Sequence, residues 1–178
     1  MIRLFAALSL PTEIVRGLVR RQTGVEFARW RPPESLHITL RFFGEVPQNL
    51  ARDLDAELAG IDVPPFELVL EGVGAFGEGR DIHALWAGVE EGPLLRRLAE
   101  ACETAARRAG LKPEKRNYKP HVTLAYLKQA NPAEIGAWIQ AHNLLKSPPF
   151  AVDRFGLYSS TLGGEGAHYR LEAEYPLG

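Results

Sequence analysis

The tetrapeptide His37-Ile38-Thr39-Leu40 recurs as His121-Val122-Thr123-Leu124, 84 residues further on. The same 84 residues separate Pro64-Pro65-Phe66 from Pro148-Pro149-Phe150, and the prolines that open two helical patterns, Pro47 and Pro132, lie 85 apart. One offset held across strand, helix and strand patterns points to an internal duplication, and two copies are too few for a solenoid. A single domain over residues 1–178 is expected, with halves of approximately 1–76 and 82–178. These would fold as two pseudo-symmetric α+β lobes that bring His37 and His121 to opposite walls of a shared cleft.

Each tetrapeptide sits in a short β-branched run. Side chains alternate along a strand, so His37 and Thr39 share one face while Ile38 and Leu40 point into a core; His121 and Thr123 do the same. Period and breaker residues predict strands at Ile2–Leu8, Leu36–Phe43, Phe66–Leu70, Ala84–Val89, His121–Leu127, Phe150–Leu157 and Tyr169–Glu174. Helices are expected over Thr12–Arg21, Pro47–Leu58, Pro93–Ala109 and Pro132–Ala141, with Gly60 and Gly110 as stops.

A chain of 178 residues can bury most of its apolar surface, and a net charge of -1 leaves only local basic patches for any nucleic acid. The single cysteine, Cys102, has no intrachain partner; its helical setting reads as a packed thiol, which fits a reducing, cytoplasmic location. The apolar start at Met1–Leu8 is cut short by Pro11 and lacks a small-residue cleavage site, so it reads as a first strand, not a signal peptide. No stretch approaches the roughly 20 apolar residues that span a bilayer.

Histidine titrates near neutrality, so one neutral imidazole can take a proton from water while a protonated one gives a proton to a leaving oxygen. Phosphodiester hydrolysis needs both acts. Thr39 and Thr123, on the same faces, are placed to donate hydrogen bonds to non-bridging phosphate oxygens. The other histidines, at 83, 142 and 168, show no metal-ligand spacing with Cys102, so neither a metal nor a cofactor is expected.

With these motifs the chain resembles the 2H phosphoesterases, and among them the RNA 2′,3′-cyclic phosphodiesterases, also called 2′-5′ RNA ligases. The resemblance spans nearly the whole chain. It is carried by Arg3-Leu4-Phe5-Ala6-Ala7, by Trp30 with Pro33-Glu34-Ser35-Leu36-His37-Ile38-Thr39-Leu40-Arg41-Phe42-Phe43-Gly44-Glu45-Val46, and by Lys119-Pro120-His121-Val122-Thr123-Leu124. Leu157-Tyr158-Ser159-Ser160 and Tyr169-Arg170-Leu171 add to it. It implies an α+β bilobal 2H phosphoesterase fold with antiparallel sheets flanking a central cleft and helices outside. It also implies metal-independent hydrolysis of RNA 2′,3′-cyclic phosphate ends to 2′-phosphomonoesters, with 2′-5′ ligation in some members. His37 would protonate the departing 3′ oxygen, His121 would activate water, and the threonines would clamp the phosphate. The implied partners are RNA ends of that kind, tRNA fragments among them, and nucleotides in the cleft; no membrane is involved, and a monomer is expected. Two other readings remain open at this point: a phosphodiesterase for another 2′-linked or cyclic nucleotide, and a non-catalytic module that binds RNA ends.

The resemblance implies an arginine after Ala125, where this chain has Tyr126. Arg41, on the face of His37 and Thr39 by alternation, and Lys128 are the candidate replacements. The strip Lys112, Lys115, Arg116, Lys119 is a candidate track for an RNA backbone. Trp30, Trp86 and Tyr118 are candidate stacking rings, with core packing the better expectation for the tryptophans. Gly72-Val73-Gly74-Ala75-Phe76-Gly77 matches a dinucleotide glycine pattern, but no helical pattern follows it, so it reads as a turn between the lobes.

Overall fold

The computed structural model describes residues 1–163 and 166–178. The apolar opening forms strand β1 (Ile2–Ser9), which lies inside a four-stranded sheet of order β10-β9-β1-β3. Its neighbours are β3 (His37–Val46) and β9 (Arg154–Gly163), and β10 (Gly166–Pro176) completes the sheet. The second sheet runs β2-β7-β6-β5, from β2 (Arg29–Trp30) through β7 (His121–Tyr126) and β6 (Ala84–Val89) to β5 (Leu70–Phe76). A third, two-stranded piece pairs β4 (Phe66–Leu68) with β8 (Phe150–Val152), and every ladder is antiparallel. Four α-helices join them among the described residues: α1 (Thr12–Val19), α2 (Gln48–Ala59), α3 (Pro93–Arg108) and α4 (Pro132–His142).

One core serves both sheets. Leu4, Leu8, Ile38 and Leu40 from the first meet Leu85, Val122 and Leu124 from the second, with Leu54 and Leu58 of α2 and Leu95, Leu98 and Cys102 of α3 packed into the same cluster. Burying each such leucine or isoleucine stabilises the fold by about 1.5–3 kcal/mol. Among the described residues no helix is long and apolar enough to cross a membrane.

The sheets differ from the expected halves in one respect. Strands β1 and β3 of the first half pair with β9 and β10 of the second, whereas β6 and β7 of the second half take β5 from the first. The halves therefore interleave, and neither lobe is a continuous stretch of chain. Strand β5 is also where a turn was expected. Sequential strands joined by a short connection pair readily, and the chain from Gly77 to His83 is short enough to fold β5 back onto β6. The glycines allow it. Gly72, at φ +73, absorbs the register shift between Leu70 and Val73, and a Cβ on Gly74 would run into the Trp86 ring. The actual turn starts at Gly77, whose φ of +98 suits only glycine well. The expected strand Phe150–Leu157 is likewise two strands, broken at Asp153, as the first-half strand is broken at Val69.

Both histidine strands carry the same irregularity. In β3 Thr39 pairs with Ala7 but Arg41 pairs with Ala6, leaving Leu40 as an extra residue; in β7 Thr123 pairs with Trp86 but Ala125 with Leu85, leaving Leu124. Each one-residue bulge resets the alternation. Beyond it, Arg41 and Ala125 turn to the core side, while Phe42 and Tyr126 come to the face that carries the histidines.

Candidate active site

His37 opens β3 opposite Ser9, and His121 opens β7 opposite Gly88. The two strands approach each other where the sheets meet. His37 stacks on Phe5 with centroids 5.0 Å apart, meets the Tyr169 ring edge-on at 5.4 Å, and has Nε2 3.1 Å from Thr39 Oγ1. Thr39 is itself tied down from behind, because the Tyr118 hydroxyl donates to its carbonyl at 2.8 Å. His121 sits edge-on to Phe76 at 4.8 Å, and its Nδ1 lies 2.7 Å from the Lys119 carbonyl. A carbonyl only accepts, so Nδ1 of His121 carries the hydrogen and Nε2 is left with a lone pair. Ser35, likewise two residues upstream, favours the charged form of the His37 ring through its backbone.

Burial favours the neutral form of both imidazoles in the unliganded site. Burial is the main cause for His37, opposed by the Ser35 backbone and reinforced by the positive charge of Arg31, and the ring is pushed down to about 4. Burial also lowers His121; the bond to the Lys119 carbonyl resists this, and the Lys119 ammonium adds to it. Cys102 is fully buried and unpaired, with its thiol pushed up to about 12 by burial, which makes it a packing residue.

The remaining expected site residues divide. Lys119 is brought to the site: its Nζ lies over the Phe76 and Trp86 rings, 5.2 and 5.0 Å from their centroids, beside His121. Tyr126 stands 39% exposed at the end of β7. Arg41 is not at the histidines. The bulge at Leu40 turns it to the helix side, where its side chain, 10% exposed, pairs with Glu103 of α3 at 3.0 Å and donates to the Lys112 carbonyl. Alternation across an unbroken strand gave it the wrong face. Arg116 points outward, 86% exposed and paired with Glu114, and Lys128 lies exposed two residues beyond β7. Of the three candidate stacking rings, Tyr118 is committed to Thr39, Trp30 packs on Trp138, and Trp86 is covered by Lys119. Among the described residues no three or more His, Cys, Asp or Glu side chains gather as a metal site would.

Sequence reasoning missed Arg31. Its backbone N–H donates to the Leu124 carbonyl at 2.8 Å, which places it beside the second histidine strand although it precedes the first. Its guanidinium lies over the rings of Tyr126 and Tyr169, 5.4 and 5.8 Å from their centroids, and donates to the Tyr169 hydroxyl at 3.0 Å. No local pattern marks it, because its position depends on β2 joining β7.

The chain is similar over its length to known proteins. A family model described as the 2′-5′ RNA ligase superfamily matches residues 10–164. The RNA 2′,3′-cyclic phosphodiesterase of Archaeoglobus fulgidus is 30% identical over 172 residues, covering 95% of this chain and 97% of its own. That of Thermus thermophilus is 34% identical over 193 residues, covering 99% and 90%. Among solved structures, apo LigT of E. coli superposes with a TM-score of 0.82 at 26% identity over 99% of this chain and 97% of its own. LigT complexed with 3′-AMP gives 0.81 at 27%, over 99% and 98%. The α+β architecture, the antiparallel sheets and the match over residues 10–164 agree: this chain belongs to the 2′-5′ RNA ligase superfamily.

Proposed function

We propose that this chain hydrolyses RNA 2′,3′-cyclic phosphate ends to 2′-phosphomonoesters, with His37 and His121 as the proton-transfer pair. The observation that carries this reading is the meeting of β3 and β7 at two strand-opening imidazoles, each followed on its face by a threonine, with the His121 tautomer fixed by the Lys119 carbonyl. His121, neutral with Nδ1–H engaged, presents the Nε2 lone pair that a general base needs. It takes a proton from water as the water oxygen bonds to phosphorus. The bond from phosphorus to O3′ breaks, and His37, protonated, gives its Nε2 hydrogen to that oxygen. One water is consumed, and the two imidazoles return to their starting states by exchange with solvent. An empty site holds His37 neutral, so the bound phosphate anion supplies the negative charge that lets it carry a proton. Thr39 and Thr123 hold the non-bridging oxygens.

The naming of both relatives as RNA 2′,3′-cyclic phosphodiesterases supports the substrate class, with tRNA fragments as one source of such ends. The 3′-AMP complex of LigT supports nucleotide binding by this chain. Both motifs come from one chain, so a monomer suffices, and the unpaired Cys102 suits a cytoplasmic setting. The test is turnover of a short RNA with a 2′,3′-cyclic end by the wild type, His37→Ala and His121→Ala. Each substitution should cost about 10²–10⁴-fold in kcat with the melting temperature close to wild type; a folded variant with near-normal hydrolysis refutes the paired-histidine mechanism.

A further inference from the structure

Arg31 is a cation built into the site without an anion to match it. Its backbone is fixed on two sides: its N–H bonds to the Leu124 carbonyl, and its own carbonyl accepts from Gln22 Nε2 at 2.9 Å. Gln22 also donates to Leu124, so β2 and the second histidine strand are stitched together at this residue. From that anchor the half-buried side chain crosses to the first sheet, where it reaches Tyr169 on β10, the ring that lies against His37. Two tyrosine faces and one neutral hydroxyl are its companions. Among the described residues no carboxylate forms an ion pair with it, in contrast to Arg41, Arg96 and Arg154, each paired at 3.0 Å or less.

Partial burial of a guanidinium beside aromatic faces is tolerable, because the ion is weakly hydrated and stacks well. Without a counter-charge it is also an anion site waiting to be filled. Arg31 reaches both sheets and its charge acts on His37, so an anion bound there also lies within the field of the proposed acid.

We propose that Arg31 is the phosphate-gripping cation of this chain, its planar fork held on a shelf made by Tyr126 and Tyr169 and turned to the non-bridging oxygens of the bound cyclic phosphate. Tyr126 is thus no empty position where a cation is lacking; it is the support of a cation that arrives from β2. The same placement excludes Arg41, which is spent on Glu103.

This rests on the proposed site, and the test separates the two. Binding of inorganic phosphate to the full chain is followed by NMR through the His37 and His121 ring resonances, alongside KM and kcat on the cyclic-ended RNA. Arg31→Gln should weaken phosphate binding and raise KM by about 10–100-fold, the range for a lost hydrogen bond to a charged group, with a smaller fall in kcat. The His37 titration should move upward once the neighbouring charge is gone. Arg31→Lys, which keeps the charge but loses the fork, should fall between the two. A folded Arg31→Gln or Arg31→Lys protein that binds phosphate within twofold of wild type overturns the proposal, as does phosphate that perturbs neither ring. A wild type that binds phosphate through Arg31 but never turns over the RNA instead removes the proposed function and leaves Arg31 as an anion-binding residue.

Discussion

The roles proposed for His37 and His121 depend on what stands behind them. The carbonyl of Lys119 fixes how the His121 ring is oriented, and Phe5, Phe76 and Tyr169 hold the two rings in apolar walls. The cost of such walls shows in the titration of His37. Its folded value of about 4 lies below its usual 6.5, so protonation favours the unfolded chain. The contribution is fully present above about pH 6.5 and is lost as pH falls toward 4. Stability should therefore drop by about 1.4 kcal/mol per pH unit across that window from this ring alone, and His37→Gln should flatten that part of the curve in urea melts. A wild-type profile with no such slope, and no change in the variant, would contradict the buried neutral imidazole.

The bulges at Leu40 and Leu124 decide which residues reach the site. Strict alternation reads His37, Thr39 and their copies correctly, because all four precede the bulge in their strands, and it misreads Arg41, which follows it. An extra residue in a ladder is a pairing event with no mark in a single β-branched run, which is why the sequence shows the strand and not its break. The glycines of β5 hid that strand for a related reason: Gly74 is required by the Trp86 ring across the sheet, a contact invisible before the partner strand is known. Arg31 was illegible because it acts beside a strand some 90 residues away. The bulge also makes a prediction. Arg41→Met, which strands Glu103 without its 3.0 Å partner, should destabilise the fold by about 1–3 kcal/mol, yet leave phosphate binding unchanged. A rise in the phosphate Kd without loss of stability would put Arg41 back at the histidines.

At the scale of the molecule, the repeat and the sheets tell one story from two sides. The bulge at Leu40 recurs at Leu124 and the break at Val69 recurs at Asp153, both at the 84-residue offset that the tetrapeptides first marked. We read this as duplication of one strand-helix-strand-helix-strand unit, whose copies then exchanged their last strands. Exchange has a physical consequence. With β1 flanked by β3 and β9, and β6 flanked by β7 and β5, neither half can complete a sheet alone. Polypeptides 1–76 and 82–178 expressed separately should show no cooperative melting and should recover β-sheet signal only when mixed; a half that melts cooperatively by itself would contradict the interleaved topology. The shared core also explains how two motifs so far apart in sequence are held face to face, since β3 and β7 are backed by the same packed layer of leucines. The joint between the sheets is proposed as a metal-independent, two-histidine phosphodiesterase site. The most direct measurement is the product formed from a short RNA with a 2′,3′-cyclic end in the presence of a chelator. Full turnover to a 2′-phosphate terminus is expected. A 3′-phosphate product, or turnover abolished by the chelator, would contradict it.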